Sequence, residues 1–273
     1  MGREVKLDRP LISVLMGVYY KRENIEMLCR AVQSILNQSI TDFEFLICDD
    51  GSSKEAMEYL DEISAADSRI KLIRHGELFS LPQKLNACLA AAKGKYIARM
   101  DDDDYSHPNR FVQQIDYLEK HSDIAFCGCS VNLCRNGAVI GKRILPHFPT
   151  VEDFYFVQPF IHPALMFRRE ALIAVNGYSE DKYCILCEDY DLLLRLYAVG
   201  YKGANIQQEL FDYTLPLSAK GSRKMKHRFN EAVTRYRRFG DLKRLPKALP
   251  YVIKPLAVGL IPEPVLKKIK ERR

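Results

Sequence analysis

The sequence predicts an α/β fold with a mostly parallel central sheet and helices on both faces. Three observations support this prediction. Short apolar, β-rich runs alternate with helical patterns from the start to about residue 100. Acidic clusters follow the second and fourth of these runs, at the strand ends where open α/β sheets bind ligands. The chain has 273 residues, enough for one large domain with an appendage or two small ones, and its 47% of hydrophobic residues can form a core.

The first hundred residues contain four predicted strands and three predicted helices. Apolar runs predict strands over residues 11–18, 43–48, 70–74 and 96–100. Apolar residues three and four positions apart predict helices over residues 24–37, 54–65 and 82–92. The last of these begins with a proline, which suits a first helical turn. This β-α repetition is typical of a parallel sheet that helices cover.

The order of the elements changes after residue 104. A helix is predicted over 108–120, then a hairpin of strands 124–134 and 138–144 with Asn136-Gly137 as its turn. Short helices over 151–157 and 169–175 enclose a short strand over 165–167. An amphipathic helix over 188–199 ends at Gly200, and the last strand covers 210–213. A basic helix follows over 223–239, and the proline-rich segment from 245 onward is expected to lie on the body or on a surface.

Basic charge is concentrated at the C-terminus. Residues 220–273 contain 17 Lys and Arg against 4 Asp and Glu, whereas residues 1–219 contain 24 against 31. We therefore predict a body over 1–219 and a basic helical extension over 220–273. Such an extension suits an anionic membrane surface. A solvated helical face is the plainer alternative, and nucleic acid is the least favoured partner.

The termini and the cysteines indicate where the protein acts. Residues 1–10 are charged and lack the apolar core of a signal peptide. The longest apolar run near the C-terminus, 256–261, is far shorter than the ~20 residues that span a bilayer. Most of the eight cysteines lie in apolar stretches, as free thiols do in a reducing cytosol. We predict a cytoplasmic protein, peripheral at the inner face of the cell membrane.

Two acidic clusters are expected to share one crevice. Asp49 and Asp50 follow the second strand, and Asp101–Asp104 follow the fourth. The carboxyl ends of parallel strands meet at one edge of the sheet, where ligands bind. Four adjacent carboxylates repel one another, and Mg²⁺ or Mn²⁺ with phosphate oxygens in its shell would relieve that repulsion. A solvated acidic turn is the alternative.

A third acidic group opens the predicted helix over 188–199. Glu188, Asp189 and Asp191 are all acidic there. Acids are ordinary residues of a first helical turn because they complement the helix dipole. A carboxylate in this position could instead act as a general base toward an attacking hydroxyl.

These residues resemble the family 2 glycosyltransferases, which have the Rossmann-like A-type glycosyltransferase (GT-A) fold. The resemblance covers residues 10–215 and keeps the order of the family's motifs. The matching stretches are ISVLMGVY (12–19), SILNQS (34–39), DFEFLICDDGS (42–52), Leu81-Pro82 with Leu85-Asn86, GKYIARMDDDD (94–104), PNR (108–110), His162-Pro163 with Met166–Arg168, and EDYDLLLRL (188–196). Each motif alone is weak, but the ordered set is specific.

The resemblance implies a nucleotide-binding half over about 10–104. Tyr19 would pack against the nucleotide base, and Asp50 would hydrogen-bond the base, typically uracil. Arg99 would lie beside the diphosphate. Asp101 and Asp103 match the family's Asp-x-Asp motif, with Asp103 in direct contact with Mn²⁺ or Mg²⁺ and Asp101 on the metal or the ribose.

The resemblance also implies an acceptor half over about 105–219. Asp189 matches the catalytic base of the family, and Glu188 would orient it or touch the acceptor. Asp191 is the second candidate for the base, and Asp104 is a supporting residue. The implied reaction is a single inverting displacement from a nucleotide-sugar, typically a UDP-sugar, to a hydroxyl of a glycan or lipid-linked acceptor, in cell-surface polysaccharide synthesis.

The chain departs from the family at one position, and two other functions compete. Many relatives carry Tyr-Arg-x-His after the last strand, whereas residues 213–216 read Tyr-Thr-Leu-Pro without a His; Lys220, Arg223 or His227 could substitute. His162-Pro163 could serve the acceptor or form a structural turn. A metal-dependent nucleotidyltransferase is the alternative enzyme, but the stretch 17–22 has one glycine rather than a glycine-rich phosphate loop. A non-catalytic sugar-nucleotide-binding module is the non-enzyme alternative.

Overall fold

A computed structural model of the chain describes residues 9–74, 79–215 and 224–261. The described residues form nine strands in one sheet and eight α-helices. The strands are β1 (Ile12–Val18), β2 (Phe43–Asp49), β3 (Ile70–Arg74), β4 (Tyr96–Met100), β5 (Tyr105–Ser106), β6 (Ile124–Arg135), β7 (Ala138–Arg143), β8 (Met166–Arg168) and β9 (Lys202–Thr214). The helices are α1 (Glu26–Leu36), α2 (Lys54–Ala66), α3 (Leu81–Ala91), α4 (Arg110–Lys120), α5 (Arg169–Ala174), α6 (Glu188–Ala198), α7 (Met225–Asp241) and α8 (Leu245–Gly259).

The sheet joins two parallel groups of strands. Its order is β3-β2-β1-β4-β8-β6-β9-β5, with β7 paired to β6. Strands β3, β2, β1 and β4 are all parallel, and so are β6 and β9. The short strand β8 runs antiparallel to both β4 and β6 and connects the groups. The ends of β1, β2 and β4 therefore meet at one edge, which confirms the predicted α/β fold.

Side chains of each strand alternate between two apolar layers. In β1, Val14 and Met16 pack in the layer that contains α1, α2 and α4. Leu15, between them, points to the other layer, which contains α3, α5, α6, α7 and α8. This alternation follows from the period of two in a β-strand. The predicted helices on both faces of the sheet are confirmed.

Most predicted elements match the structure, with two corrections. Asn136 and Gly137 both have positive φ angles, 50° and 77°, as the predicted hairpin turn requires. Strand β9 begins eight residues before the predicted 210–213, because the polar residues before 210 also pair with β6. Asn205 in this stretch is buried, and its side chain donates to the Pro146 and Pro159 carbonyls. The short helix predicted over 151–157 is a 3₁₀ turn, Asp153–Tyr155. The predicted C-terminal extension is helical in its described part, and its proline-rich segment forms α8 with Pro250 and Pro255 inside the helix.

The basic helices α7 and α8 pack on the body. Phe239 and Ala248 are fully buried in the layer that also contains α6. Arg235 of α7 donates to the Phe154 and Tyr155 carbonyls at 3.3 Å. The predicted boundary at 219/220 lies outside the described residues, so the division into domains stays a prediction. None of the described helices is both long enough and apolar enough to cross a membrane.

Candidate active site

The ends of β1 and β2 form the first part of the site with helix α3. Tyr19, directly after β1, is 53% exposed. The Nζ atom of Lys84, in α3, lies 5.2 Å from the centre of the Tyr19 ring. The same atom donates to the Val18 carbonyl at 2.7 Å. Lys84 also forms a buried ion pair with Asp50, which follows β2. The Phe79 amide donates to the other Asp50 oxygen.

These residues line a cavity of about 420 Å³. Its wall contains Tyr19, Phe79 and Lys84, together with Gly17, Leu81, Asp101 and Asp102. Asp50 contacts the cavity wall through Phe79 and Lys84. The sequence analysis selected Tyr19 and Asp50 and missed Lys84. Lys84 lies on the buried side of α3, one turn before the buried Cys88, and a lysine at such a position indicates a buried partner.

The four carboxylates after β4 have four different surroundings. Asp101 accepts a hydrogen bond from Arg99 at 2.5 Å, and Asp103 accepts one from Arg22 at 2.5 Å. Burial, followed by the Asp103 and Asp101 charges, raises the pKa of Asp102 to about 7. The repulsion among these carboxylates is therefore only partly relieved by the two arginines.

Asp104 is the fully structural member of this run. It is 1% exposed and accepts from the Thr214 amide at 2.7 Å, while the Thr214 hydroxyl donates to the Asp103 carbonyl at 2.6 Å. These two bonds tie the acidic turn to the end of β9. They fix the backbone from which Asp101 and Asp103 project.

Arg99 lies beneath the acidic turn. The residue is 1% exposed, and its guanidinium donates to the Met100 and Leu15 carbonyls as well as to Asp101. The Asp101 carboxylate helps to raise the pKa of this arginine against the opposing effect of burial. The guanidinium therefore supplies a fixed positive charge next to Asp101.

The first turn of α6 forms the second part of the site. Asp189 accepts a hydrogen bond from the Gln158 amide at 2.9 Å and one from the Tyr190 backbone at 2.7 Å. Burial and the neighbouring Asp189 charge raise the pKa of Glu188 to about 7. Leu186, two residues before Glu188, has a φ angle of 63°, so the turn into the helix is strained. Gln158 is a second residue that the sequence analysis missed, and no pattern in the sequence marks it.

Asp191 points away from this turn and into the protein. It is fully buried, and it pairs with Arg195 at 2.7 Å and with Arg238 of α7 at 2.8 Å. Residues two positions apart on a helix do not share a face. The structure thus argues against Asp191 as the second candidate for the base and assigns it a structural role.

A second cavity of about 420 Å³ lies over α6. Its lining includes Asp101, Glu188, Asp189, Gln158 and Leu81. Asp101 and Leu81 also line the cavity beside Tyr19. The two cavities therefore share a wall at the acidic turn, and their linings include Tyr19, Asp101, Glu188 and Asp189. We call the two adjoining cavities the crevice.

His162 lies in the wall of the second cavity. It belongs to the 3₁₀ turn His162–Ala164, is 7% exposed and bonds the Tyr178 hydroxyl at 2.9 Å. Burial, together with the Arg99 charge, lowers its pKa well below the usual value. A neutral imidazole at this position can orient the Tyr178 hydroxyl.

One candidate substitute for the missing histidine, His227, falls within the described residues. His227 lies in the first turn of α7, and Lys220 and Arg223 fall outside the described residues. Within the described part of the chain, no group of three or more His, Cys, Asp or Glu side chains could hold a metal ion by itself. A cation at Asp101 and Asp103 would therefore need further oxygen ligands from a bound substrate.

The sheet and the crevice define a nucleotide-dependent α/β enzyme of the glycosyltransferase kind. The model of glycosyl transferase family 2 matches residues 13–175. The chain is 33% identical over 266 residues to the putative glycosyltransferase EpsE of Bacillus subtilis, covering 97% of this chain and 94% of that one. The chain therefore belongs to the family 2 glycosyltransferases, which excludes the nucleotidyltransferase alternative.

Other matches agree with this assignment. An Escherichia coli UDP-Gal:alpha-D-GlcNAc-diphosphoundecaprenol beta-1,3-galactosyltransferase is 29% identical over 210 residues, 75% of this chain and 74% of that protein. The structure of S. aureus TarS 1-349 with UDP-GlcNAc has a TM-score of 0.68 at 15% identity and covers 89% of this chain and 72% of that one. The mannosyltransferase PcManGT from Pyrobaculum calidifontis with GDP-Man and Mn²⁺ has a TM-score of 0.60 at 16% identity, covering 96% and 79%. These structures confirm the GT-A fold.

Proposed function

We propose that the chain transfers a sugar from a nucleoside-diphosphate donor, a UDP-sugar, to a hydroxyl of a glycan or lipid-linked acceptor in polysaccharide synthesis. The observation that carries this proposal is the shared wall of the two cavities at Asp101. One cavity offers an aromatic ring and a cation for a nucleotide, and the other offers carboxylates for a hydroxyl. A sugar bound at their junction would face both.

The donor side of the crevice suits a uracil base. Tyr19 presents an exposed ring for stacking, and the Asp50–Lys84 pair lies next to it. A uracil edge carries one N–H between two carbonyls, which a carboxylate and an ammonium can bind. The TarS complex with UDP-GlcNAc supports a uridine donor, whereas the PcManGT complex with GDP-Man shows that this fold also accommodates guanosine.

The acidic turn suits a divalent cation held jointly with the diphosphate. Asp101 and Asp103 provide hard oxygen ligands, and burial together with the Asp101 charge keeps the pKa of Asp103 raised. Mn²⁺ or Mg²⁺ would offset this repulsion between the carboxylates, and the Mn²⁺ in the PcManGT structure supports such a site. When bound, such a cation would act as a Lewis acid toward the leaving diphosphate.

The residues of α6 would complete a single inverting displacement. The Asp189 carboxylate takes the proton of the acceptor hydroxyl while that oxygen forms a bond to the anomeric carbon. The bond from this carbon to the donor phosphate breaks, and the nucleoside diphosphate leaves with the electron pair. The Gln158 amide holds Asp189 in place, and Glu188 orients the base or contacts the acceptor.

A donor screen tests this function. Thermal stability would be measured with UDP-, GDP-, dTDP- and CDP-sugars, each with and without Mn²⁺, because a ligand that binds the folded state raises Tm. We expect the largest rise for a UDP-sugar in the presence of Mn²⁺, followed by metal-dependent release of UDP. A guanosine preference would overturn the uridine assignment, and the absence of any nucleotide-dependent shift would overturn the enzyme proposal.

We also propose that residues 220–273 hold the enzyme at the anionic inner face of the cell membrane. Their excess of basic residues supports electrostatic attraction to anionic lipids. A lipid-linked acceptor, as the name of the E. coli galactosyltransferase describes for that enzyme, would lie at such a surface.

A further inference from the structure

One exposed face of helix α8 is apolar. Leu249, Ile253 and Leu260 are 47%, 51% and 78% exposed. Their spacing of four and seven residues places them on one face of the helix. The other exposed residues on this face are Pro246, Pro250 and Ala257. We call these six residues the α8 stripe.

The opposite side of α8 fixes the orientation of the stripe. Ala248, Val252 and Pro255 are buried against the body. The Tyr251 ring stacks on Tyr155 at 5.0 Å with an interplanar angle of 12°. The helix is therefore held by its inner face, and the exposure of the stripe is a property of the packed structure.

Positive charge lies along one side of the stripe. Lys247 and Lys254 are exposed and seven residues apart, so they form a row beside the stripe. Helix α8 contains no acidic residue, and residues 224–261 contain ten Lys and Arg against two Asp and Glu. An apolar face with a basic border is typical of helices that lie in the headgroup region of a membrane.

The stripe lies next to the acceptor side of the crevice. Phe156 and Val157, which are 62% and 57% exposed, line the cavity that contains Asp189. The Phe156 ring contacts Tyr251 edge to face at 5.0 Å, and Lys254 donates to the Phe156 carbonyl at 2.8 Å. A surface that contacts α8 would therefore lie close to the rim of this cavity.

We propose that the α8 stripe is a membrane-docking surface that inserts into the headgroup region of an anionic bilayer. The inference rests on the proposed membrane association and specifies the surface that makes it. The basic border selects a negatively charged partner, and the stripe needs an apolar one; an anionic bilayer supplies both. A second copy of this chain would bring two basic borders together.

A tryptophan reporter tests the insertion directly. The chain has no tryptophan, so Ile253→Trp introduces a single fluorescent probe on the stripe. We expect its emission to shift to the blue with vesicles of phosphatidylglycerol and phosphatidylcholine, and to stay unchanged with phosphatidylcholine alone. Val139→Trp is the matched control, because Val139 of β7 is 57% exposed, and its emission should not respond to vesicles.

Flotation with the same vesicles separates this inference from the broader proposal. The double variant Leu249→Asp/Ile253→Asp should reduce vesicle-bound protein about tenfold or more, because each substitution removes apolar area that the bilayer would bury. Val139→Asp/Ile140→Asp, which alters equally exposed residues of β7, should bind like the wild type. If the double variant loses its thermal transition, Leu260→Asp near the helix end provides the same test.

The possible results have different consequences. Loss of binding in the stripe variants alone supports the inference. Equal binding of these variants and the wild type would overturn it and leave the electrostatic proposal intact. Failure of the wild type to bind would overturn both proposals without affecting the sugar-transfer assay. A dimeric wild type that the stripe substitutions convert to a monomer, measured by light scattering, would replace the bilayer with a second copy.

Discussion

The two acidic runs of this protein look alike in sequence and differ in structure. Asp101–Asp104 follow a strand, and Glu188–Asp191 open a helix. In the first run the backbone turns, and its carboxylates reach Arg99, Arg22 and the end of β9. In the second run the helical repeat separates neighbours, so Asp189 faces the crevice and Asp191 faces the core.

The comparison shows that partners from distant segments decide what each carboxylate can do. Each run has one buried member that holds the structure, Asp104 or Asp191. Of the remaining members, Asp101, Asp102, Glu188 and Asp189 line the crevice. Burial and neighbouring carboxylates raise the pKa of two of these, Asp102 and Glu188, to about 7. An acidic motif thus divides into structural and reactive members that composition alone does not distinguish.

The largest effect is expected for the Asp189→Asn substitution. Without a carboxylate to accept the hydroxyl proton, kcat should fall about 10²- to 10⁴-fold, while the donor dissociation constant should stay nearly unchanged. Steady-state transfer and donor titration measure the two quantities. Asp116→Asn on the surface of α4 is the matched control. Equal loss of donor binding and transfer would contradict the assignment of Asp189 as the base.

The Asp191→Asn substitution should show the opposite pattern. It leaves the Arg195 and Arg238 charges without their shared buried carboxylate, and breaking such a buried network costs about 3 kcal/mol. Urea unfolding should report this loss, with transfer per folded molecule largely retained. If Asp191→Asn were as stable as Asp116→Asn, the separation of structural and reactive acids in α6 would be wrong.

The sequence predicted the sheet edge and most of the crevice for a physical reason. Alternating apolar runs mark buried strands, and the ends of parallel strands must meet, so the proximity of Asp50 and Asp101 followed from topology. Tyr19 was selected through the family resemblance. Contacts between distant segments left no comparable pattern. Gln158, in a loop without periodicity, reaches Asp189 only because the chain folds back over α6.

The C-terminal helices show the same limit. The sequence predicted a basic helical extension, but the prolines at 250 and 255 left the bounds of helix α8 unmarked. Proline costs a helix an amide donor and some backbone contact. Packing of Ala248 and Val252 against the body offsets this cost, and tertiary packing of this kind cannot be read from local propensity.

A smaller effect is expected for the stability of Glu188→Gln, and it should depend on pH. Burial raises the Glu188 pKa from 4.5 to about 7, so the folded protein binds a proton that the unfolded chain releases between these values. The free energy of unfolding therefore falls as pH rises through this window. Glutamine removes this titration, and the variant should gain on the order of 2 kcal/mol above pH ~7 relative to pH ~4.

Urea unfolding at a series of pH values measures this gain. Glu58→Gln is the control, because Glu58 lies on the surface of α2 in an exposed pair with Lys54 and such pairs contribute little. If Glu188→Gln changed the free energy of unfolding equally at all pH values, the pKa of Glu188 would not be raised in the folded protein. Only the run Asp101–Asp104 would then contain a carboxylate with a pKa raised to about 7.

The smallest effect is expected for the Asp103→Ala substitution, and removal of metal provides its reference. Asp103 is the proposed direct ligand, so the variant should bind UDP about tenfold more weakly in Mn²⁺, a loss of about 1.4 kcal/mol. Chelation should weaken the wild type by a similar factor and leave the variant unchanged, because both changes remove the same contact. Calorimetric titration with UDP measures all four affinities, and Asp123→Ala on the surface is the control. If Mn²⁺ raised the affinity for UDP equally in the variant and the wild type, Asp103 would not be the direct metal ligand. Asp101 would then be the next carboxylate of the run to test.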